Sequence, residues 1–466
     1  MKNICLLTLI IMLTAPLLFA VNPREMKFPP LQFEPANPVR FEIDNGIVIY
    51  FLEDHQLPVF SVTGYFNGGS VHDPKEKLGL SDLTATLMRS GGAGKRSPEQ
   101  VDLDLDFISA NTSSDADKDY FSISVSALKK DIALCFEIFS DMLIRPRFDS
   151  GKIALELANA RERIRRQNDD PGRLTRRVYY QTVYEGHPYS YYPTLATLDN
   201  ITEADIRAHY EKFYNPDNCI LAVSGDMTLD ELQSLLATYL MSWEKAGVSI
   251  EAIPEAKPKY RPGVYYVEKD INQAHLCFGH LSMDSKNPDR YAMDILNFAM
   301  GGGGFSSRLM MQVRTSAGLA YLVGSYLWTR PLNGTLFGYC QTRADAMSQA
   351  LRMMLDIMAD VKAGGITREE MDLAKESIIN SYVFNYDTPS KIVEARAMLE
   401  LMGFPSDQIK KNLEEYRRVT LEDCNEAARK YIDMENLAVV ITGNRELFDK
   451  SPETFGTVTA VSLEIK

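Results

Sequence analysis

The sequence of 466 residues is 45% hydrophobic and 24% charged, with a formal net charge of −13. Such a length predicts two or more domains, the composition predicts a globular chain, and the acidic balance argues against nucleic acid or an acidic membrane surface as a partner. Its six cysteines are scattered and lack CxxC spacing, so neither a disulfide framework nor a cysteine zinc site is indicated.

Residues 1–20 (MKNICLLTLIIMLTAPLLFA) combine an early lysine, an apolar run and a small residue at position 20, the pattern of a secretory signal peptide. The expectation is export to the periplasm or another envelope site, with no stable membrane insertion once the signal is cleaved; a retained anchor is the alternative. Beyond a Pro-rich arm, Arg40–Leu52 reads as a hairpin turning at Asp44-Asn45-Gly46, and Val59–Asn67 as a second strand. Leu78–Arg89 has helical apolar spacing at Leu80, Leu83 and Leu87 and is entered past Gly79. A helix over Pro98–Ser109, a turn or edge strand over 110–117 and a period-two strand over Tyr120–Ala127 follow. Helices are then predicted over Leu128–Ile144 and Asp149–Asn168, the second stopped by Asp169-Asp170-Pro171-Gly172. Arg161, Arg163, Arg165 and Arg166 make a basic patch on it, either a solvated helix face or a seat for an acidic peptide or partner.

An internal repeat sets the architecture. Thr202–Gly225 and Thr420–Gly443 have equal length, are offset by 218 residues (420 minus 202), and align Asp205 with Asp423 and Asn218 with Asn436. Each reads as a helix capped by threonine, a short turn and an apolar strand closed by glycine. The predicted fold class is therefore α+β, with two similar domains in tandem: 21–246, a Pro-rich polar linker at 247–262, and 263–466. In the second copy, strands are predicted at Gly263–Glu268 and Ala274–Ser282 and a helix at Tyr291–Ala299. Gly301–Tyr326 then runs from four glycines into a helix over Phe305–Val313, is broken at Gly318, and continues as a strand from Leu319. Strands at Gly324–Thr329 and Thr335–Arg343 flank an Asn333-Gly334 turn, and helices at Ala344–Lys362 and Thr367–Phe384 follow.

The string S-R-L-x4-R-x3-G-L-A-Y, present as Ser307-Arg308-Leu309, Arg314 and Gly318-Leu319-Ala320-Tyr321, resembles the second half of the pitrilysin/insulinase family of zinc metallopeptidases. The resemblance implies two peptidase-like α/β sandwich domains facing each other as a clamshell. It also implies that Arg314 and Tyr321 reach the substrate carbonyl and the oxyanion developing on it, a task suited to a guanidinium fork and a phenol. The otherwise ordinary reading of the two is a helix-capping arginine and a core tyrosine. Gly186–Tyr192, with His187-Pro188-Tyr189, is similar to the family's substrate-side loop.

The family's inverted zinc motif, H-x-x-E-H, would fall on the helix after Gly79. In that register Asp82 stands in place of the first histidine, Ala85 in place of the glutamate and Thr86 in place of the second histidine. The position implied for the third ligand falls on Arg163, with Glu162 beside it, and Asp82 and Thr86 are spaced to hydrogen-bond one another. Catalytic zinc takes three protein ligands and a water, so this chain is expected to bind no metal or other cofactor. No HxxxH or HxH pair among the six histidines supplies one elsewhere. The resemblance implies a zinc-free partner of an H-x-x-E-H-bearing homologous subunit, with zinc on that subunit and a peptide or unfolded protein as substrate. The alternatives are an inactive peptide-binding or scaffold protein of the same fold and, third, an atypical zinc peptidase using Asp82 and Glu162.

Overall fold

The computed structural model describes residues 32–463, so the predicted signal peptide lies outside the described residues. The described residues from Pro35 onward form one compact unit. Its first half runs β1 (Val39–Glu42), β2 (Val48–Glu53), β3 (Val59–Asn67), α1 (Leu80–Ser90), α2 (Pro98–Phe107), β4 (Asn111–Ala116), β5 (Tyr120–Leu128), α3 (Ile132–Ile144), α4 (Ser150–Arg165), α5 (Pro171–Val183), α6 (Leu195–Asp199), α7 (Glu203–Phe213), β6 (Cys219–Gly225) and α8 (Leu229–Tyr239). The second half runs β7 (Gly263–Glu268), β8 (Gln273–Leu281), α9 (Arg290–Asn297), β9 (Ala320–Trp328), β10 (Thr335–Arg343), α10 (Met347–Gly364), α11 (Arg368–Tyr382), α12 (Pro389–Leu401), α13 (Gln408–Arg418), α14 (Leu421–Tyr431), β11 (Ala438–Gly443) and β12 (Val458–Ala460).

Two six-stranded sheets result, in the orders β1-β2-β6-β3-β5-β4 and β12-β7-β11-β8-β10-β9. Five strands correspond one to one, and in each sheet the counterpart pair, β2 with β6 or β7 with β11, is parallel and is followed by an antiparallel strand, β3 or β8; the outer strands differ, β1 being antiparallel to β2 and β12 parallel to β7. The repeat read in the sequence is present in detail. Thr202 with Asp205 and Thr420 with Asp423 form reciprocal capping boxes on α7 and α14, satisfying the backbone donors that a helix start leaves open. Both helices lead to strands, β6 and β11, with every residue buried. Such strands need apolar cover on two faces.

One face of each sheet is covered by helices of its own half, around Phe66, Phe121 and Phe136 in the first and Leu276, Leu296 and Met354 in the second. The other face is covered by a helix from the opposite half. α5 lays Leu174, Val178, Tyr179 and Val183 on β8 and β11 around Cys277, Phe337 and Val440, while α12 lays Val393 and Ala397 on Tyr50, Tyr65, Ile220 and Ala222 of the first sheet. The sequence reading contained neither helix and took Asp170-Pro171 only as a stop. Each begins where a capping side chain precedes proline at the first helical position, Asp170-Pro171 and Thr388-Pro389, 218 residues apart (389 minus 171).

The halves also meet at a buried ion pair. Arg330, after β9, lies 2.7 Å from Asp119 and 3.5 Å from Asp117 in the β4–β5 turn, and stacks on Trp328 and Tyr189. The Tyr189 hydroxyl donates to the other oxygen of Asp119 at 2.5 Å. Within the predicted substrate-side loop, the His187 ring lies 2.9 Å from the Pro254 carbonyl and accepts from the Tyr189 backbone N–H.

Candidate functional site

Gly79 enters α1 at φ 99°, a left-handed conformation that a side chain at this position would strain. The first turn of α1 is held by Asp73, which accepts from the Gly79 N–H at 2.9 Å, the Ser81 N–H at 3.0 Å and the Ser81 hydroxyl at 2.6 Å. Ser81 Oγ in turn lies 3.0 Å from His209 Nε2 of α7. Burial pushes the Asp73 carboxyl up to about 6 and the His209 imidazole down to about 3, so the 3.9 Å approach of these two is not an ion pair at neutral pH. This network was missed in the sequence reading. Its residues lie on three segments, and only the short Asp73-to-Ser81 spacing hinted at it.

On the next turn, the positions that match the zinc motif point away from metal chemistry. Ala85 is a buried methyl group, 1% exposed, where a water-activating carboxylate would be required. The Thr86 hydroxyl donates to the Asp82 backbone carbonyl at 2.8 Å, not to the Asp82 carboxylate as the spacing suggested. Asp82 remains open to solvent although protein surrounds it on most sides. That crowding raises its carboxyl pKa, opposed by the positive charges of Lys118 and of Arg163 on α4. The structure therefore brings Asp82 and Arg163 into one field, with a guanidinium in place of a third ligand. Glu162 is committed elsewhere, ion-paired with Arg166 at 2.6 Å. One carboxylate, a committed hydroxyl and a cation do not fit zinc. Among the described residues no three His, Cys, Asp or Glu side chains gather into such a set.

The second constellation is differently preserved. The segment after α9 is wound as a π-helix over Phe298–Gly302 and, after a single 3-10 turn, again over Met310–Ser316, rather than as the α-helix expected from Phe305 to Val313. Such π segments are rare and concentrate at functional sites. Gly301 lies so close to β9 that an added Cβ would sit 2.5 Å from Ser325 Oγ and from Leu309 Cδ1. Arg308, within the matched string, forms a two-pronged pair with Glu370 of α11, both contacts at 2.6 Å, and so anchors the segment. Gly318, at φ 64°, ends the winding, and β9 begins at Ala320. The Arg314 guanidinium comes to 5.8 Å from the Tyr321 ring centroid and 5.4 Å from that of Phe305. It meets no carboxylate among the described residues; its one hydrogen-bond contact is Met310 Sδ at 3.8 Å. Tyr321 is 74% exposed. The core-tyrosine reading therefore fails for Tyr321, which lies exposed beside the half-buried Arg314.

Two adjoining cavities, one of about 920 Å³ formed by α4, α5 and the turn between them and one of about 500 Å³ between α5 and the second sheet, share Asp170, Arg173 and Arg176. The larger is lined by arginines of α4 and α5 with Tyr180 and Tyr192, the smaller by Leu322, Tyr326, Phe337 and Tyr339 of β9 and β10.

Comparison with known proteins bears on this geometry. Residues 49–194 match the family described as "Insulinase (Peptidase family M16)", and residues 200–378 the "Peptidase M16 inactive domain". The chain belongs to the M16 family. Among its M16 relatives, the "Uncharacterized zinc protease YmxG" of Bacillus subtilis is 24% identical over 393 residues, 84% of this chain and 94% of that protein. The "Non-peptidase homolog YmxG" of Helicobacter pylori is 22% identical over 408 residues, 86% of this chain and 92% of that protein. The crystal structure of a peptidase M16 inactive domain from Pseudomonas fluorescens superposes with a TM-score of 0.82 at 23% identity, covering 89% of this chain and all of that one. The M16 fold expected from the Arg314–Tyr321 string is thus the fold observed. Among the described residues no helix is long and apolar enough to cross a membrane.

Proposed function

We propose that this chain is the zinc-free partner of an H-x-x-E-H-bearing M16 subunit and that it supplies Arg314 and Tyr321 to the substrate carbonyl during peptide hydrolysis by the pair. The observation that carries the reading is an asymmetry. Asp82, Ala85, Thr86 and Arg163 replace the ligands and base, whereas Arg314 and Tyr321 stand together, the tyrosine exposed and the arginine half-buried without a carboxylate partner among the described residues. In this reading residues 21–246 and 263–466 are the two peptidase-like domains joined by 247–262, residues 1–20 direct export to the envelope, and the zinc belongs to the partner.

The test is a tagged pull-down from the native host with zinc and peptide hydrolysis measured on the eluate. A co-eluting H-x-x-E-H chain, about one zinc per pair, and cleavage of peptides support the reading. Arg314→Ala and Tyr321→Phe should leave assembly intact and lower kcat, by about 10²-fold if each donor acts only on the transition state; unchanged turnover would sink it. A second reading, peptide binding or scaffolding without hydrolysis, is favoured by the name of the Helicobacter pylori relative. It gains if the chain elutes alone, metal-free and inert.

A further inference from the structure

We infer that the arginine-lined cavity formed by α4, α5 and the turn between them is a binding site for acidic peptide segments, with Arg163 and Arg176 as its anchoring cations. Five guanidiniums, those of Arg163, Arg166, Arg173, Arg176 and Arg177, line it against three carboxylates, those of Glu162, Asp169 and Asp170. The lining is therefore net positive in a chain whose net charge is −13.

Much of the cluster is already committed. Arg166 pairs with Glu162 at 2.6 Å, Arg173 lies 3.7 Å from Asp170, and Arg177 donates to the Gln167 carbonyl and the Asn168 side chain. Arg163 and Arg176 make no hydrogen bond or ion pair among the described residues. Arg163 senses Asp82 only through its field, and Arg176 lies within reach of the fields of Tyr180, Tyr192 and Tyr339. Two uncommitted guanidinium forks in one cavity are matched by carboxylates, each able to accept two parallel N–H bonds.

The shape of the cavities points to a peptide rather than a small anion. A cavity of about 920 Å³ that opens into an aromatic one of about 500 Å³ holds several residues, with room for an apolar side chain beside the acidic ones. The usual seat for a phosphate, the start of α5, is already taken: Asp170 accepts from the Arg173 N–H at 2.9 Å there, and its carboxyl is held below the ordinary range by that bond. Nucleic acid is disfavoured by the charge of the chain as a whole.

The inference needs no partner subunit and leaves Arg314 and Tyr321 aside, so it can fail while the partner reading stands, and the reverse. The full chain is titrated against a fluorescent peptide carrying glutamates around one aromatic residue, and against the same peptide with glutamine at those positions, by anisotropy. The glutamate peptide should bind at least about tenfold tighter, a difference of ~1.4 kcal/mol, and should weaken as salt is raised. Arg163→Gln and Arg176→Gln should each erase most of that preference without altering the melting temperature. Arg165→Gln, which changes an exposed cation outside the cavity lining, should not. Equal binding of the two peptides, binding of neither, or equal loss in Arg165→Gln would overturn the proposal. So would displacement of the glutamate peptide by millimolar inorganic phosphate at constant ionic strength, which would assign the site to a small anion.

Discussion

Replacing Arg330 by methionine keeps an unbranched apolar stem and removes the guanidinium, leaving Asp119 buried without its cation. Arg330 and Asp119 side chains are 10% and 12% exposed and 2.7 Å apart. Breaking so dry a pair from one side costs about 3–5 kcal/mol, because the surviving ion keeps its desolvation penalty. With ~2.1 cal/mol/K of unfolding entropy per residue over roughly 430 ordered residues, the loss corresponds to a Tm lower by roughly 3–6 °C. The penalty should also depend on pH. Burial already raises the Asp119 carboxyl pKa, and Arg330 is one of the groups that holds it down. Without Arg330 the folded-state pKa rises further above the unfolded value, so the missing stability is restored as pH falls and the carboxyl takes up a proton. The deficit should therefore be larger at pH 8 than at pH 5. Thermal melts of wild type, Arg330→Met, Asp119→Asn and the double variant form the measurement. The double variant should lose at least about 1.5 kcal/mol less than the two single losses added together. A Tm change under ~1 °C in Arg330→Met, or strict additivity, would refute the reasoning.

Other outcomes follow from the same geometry. His209, neutral in the fold with a pKa near 3 against an ordinary 6.5, refuses a proton that the unfolded chain accepts, so it withdraws stability as pH falls through 6.5. His209→Gln keeps a donor for Ser81 but cannot titrate, and its stability relative to wild type should improve by roughly 2 kcal/mol between pH 7 and pH 5 in urea titrations; parallel pH curves would contradict this. Gly301→Ala must displace both Leu309 and Ser325, including the Ser325 backbone, and should cost about 1–3 kcal/mol, with altered near-ultraviolet circular dichroism from the Tyr321 and Tyr326 region. Dialysed against micromolar zinc and then against buffer, the chain alone should retain far less than one zinc by metal analysis. One tightly held ion would show that the donor set at Asp82 had been misjudged.

Most strands were legible because their signals are local. Val59–Asn67 was placed to the residue, and the Asn45-Gly46 and Asn333-Gly334 turns carry their positive φ at Gly46 and Asn333. The loss of the zinc motif was legible too, since it is a matter of residue identity in a fixed register. What was not legible depends on distant partners. α5 and α12 spend their apolar faces on the opposite half, so nothing beside them in the sequence declares what they cover. β9 was read as two strands, one from Leu319 and one beginning at Gly324, but Gly324 interrupts nothing. It is a close approach instead, where a Cβ would meet the Tyr339 hydroxyl at 2.6 Å and the Gly301 carbonyl at 3.1 Å. The π winding around Arg314 has no apolar period that distinguishes it from an α-helix over seven residues. The arginines of α5 joined those of α4 only once a helix was recognised past Pro171.

The exchange of α5 and α12 also governs how the chain is born. During synthesis α5 is complete at Val183, yet one of the strands it packs on, β11, ends at Gly443, 260 residues later (443 minus 183). At roughly 5–20 residues per second, Leu174, Val178, Tyr179 and Val183 wait some 13–50 s for their cover. The first half thus emerges with a sticky helix and a bare sheet face, both awaiting the second. A nascent chain in that condition invites holdase chaperones or pairing with another copy, and a ribosome pause before Gly443 would lengthen the hazard in proportion.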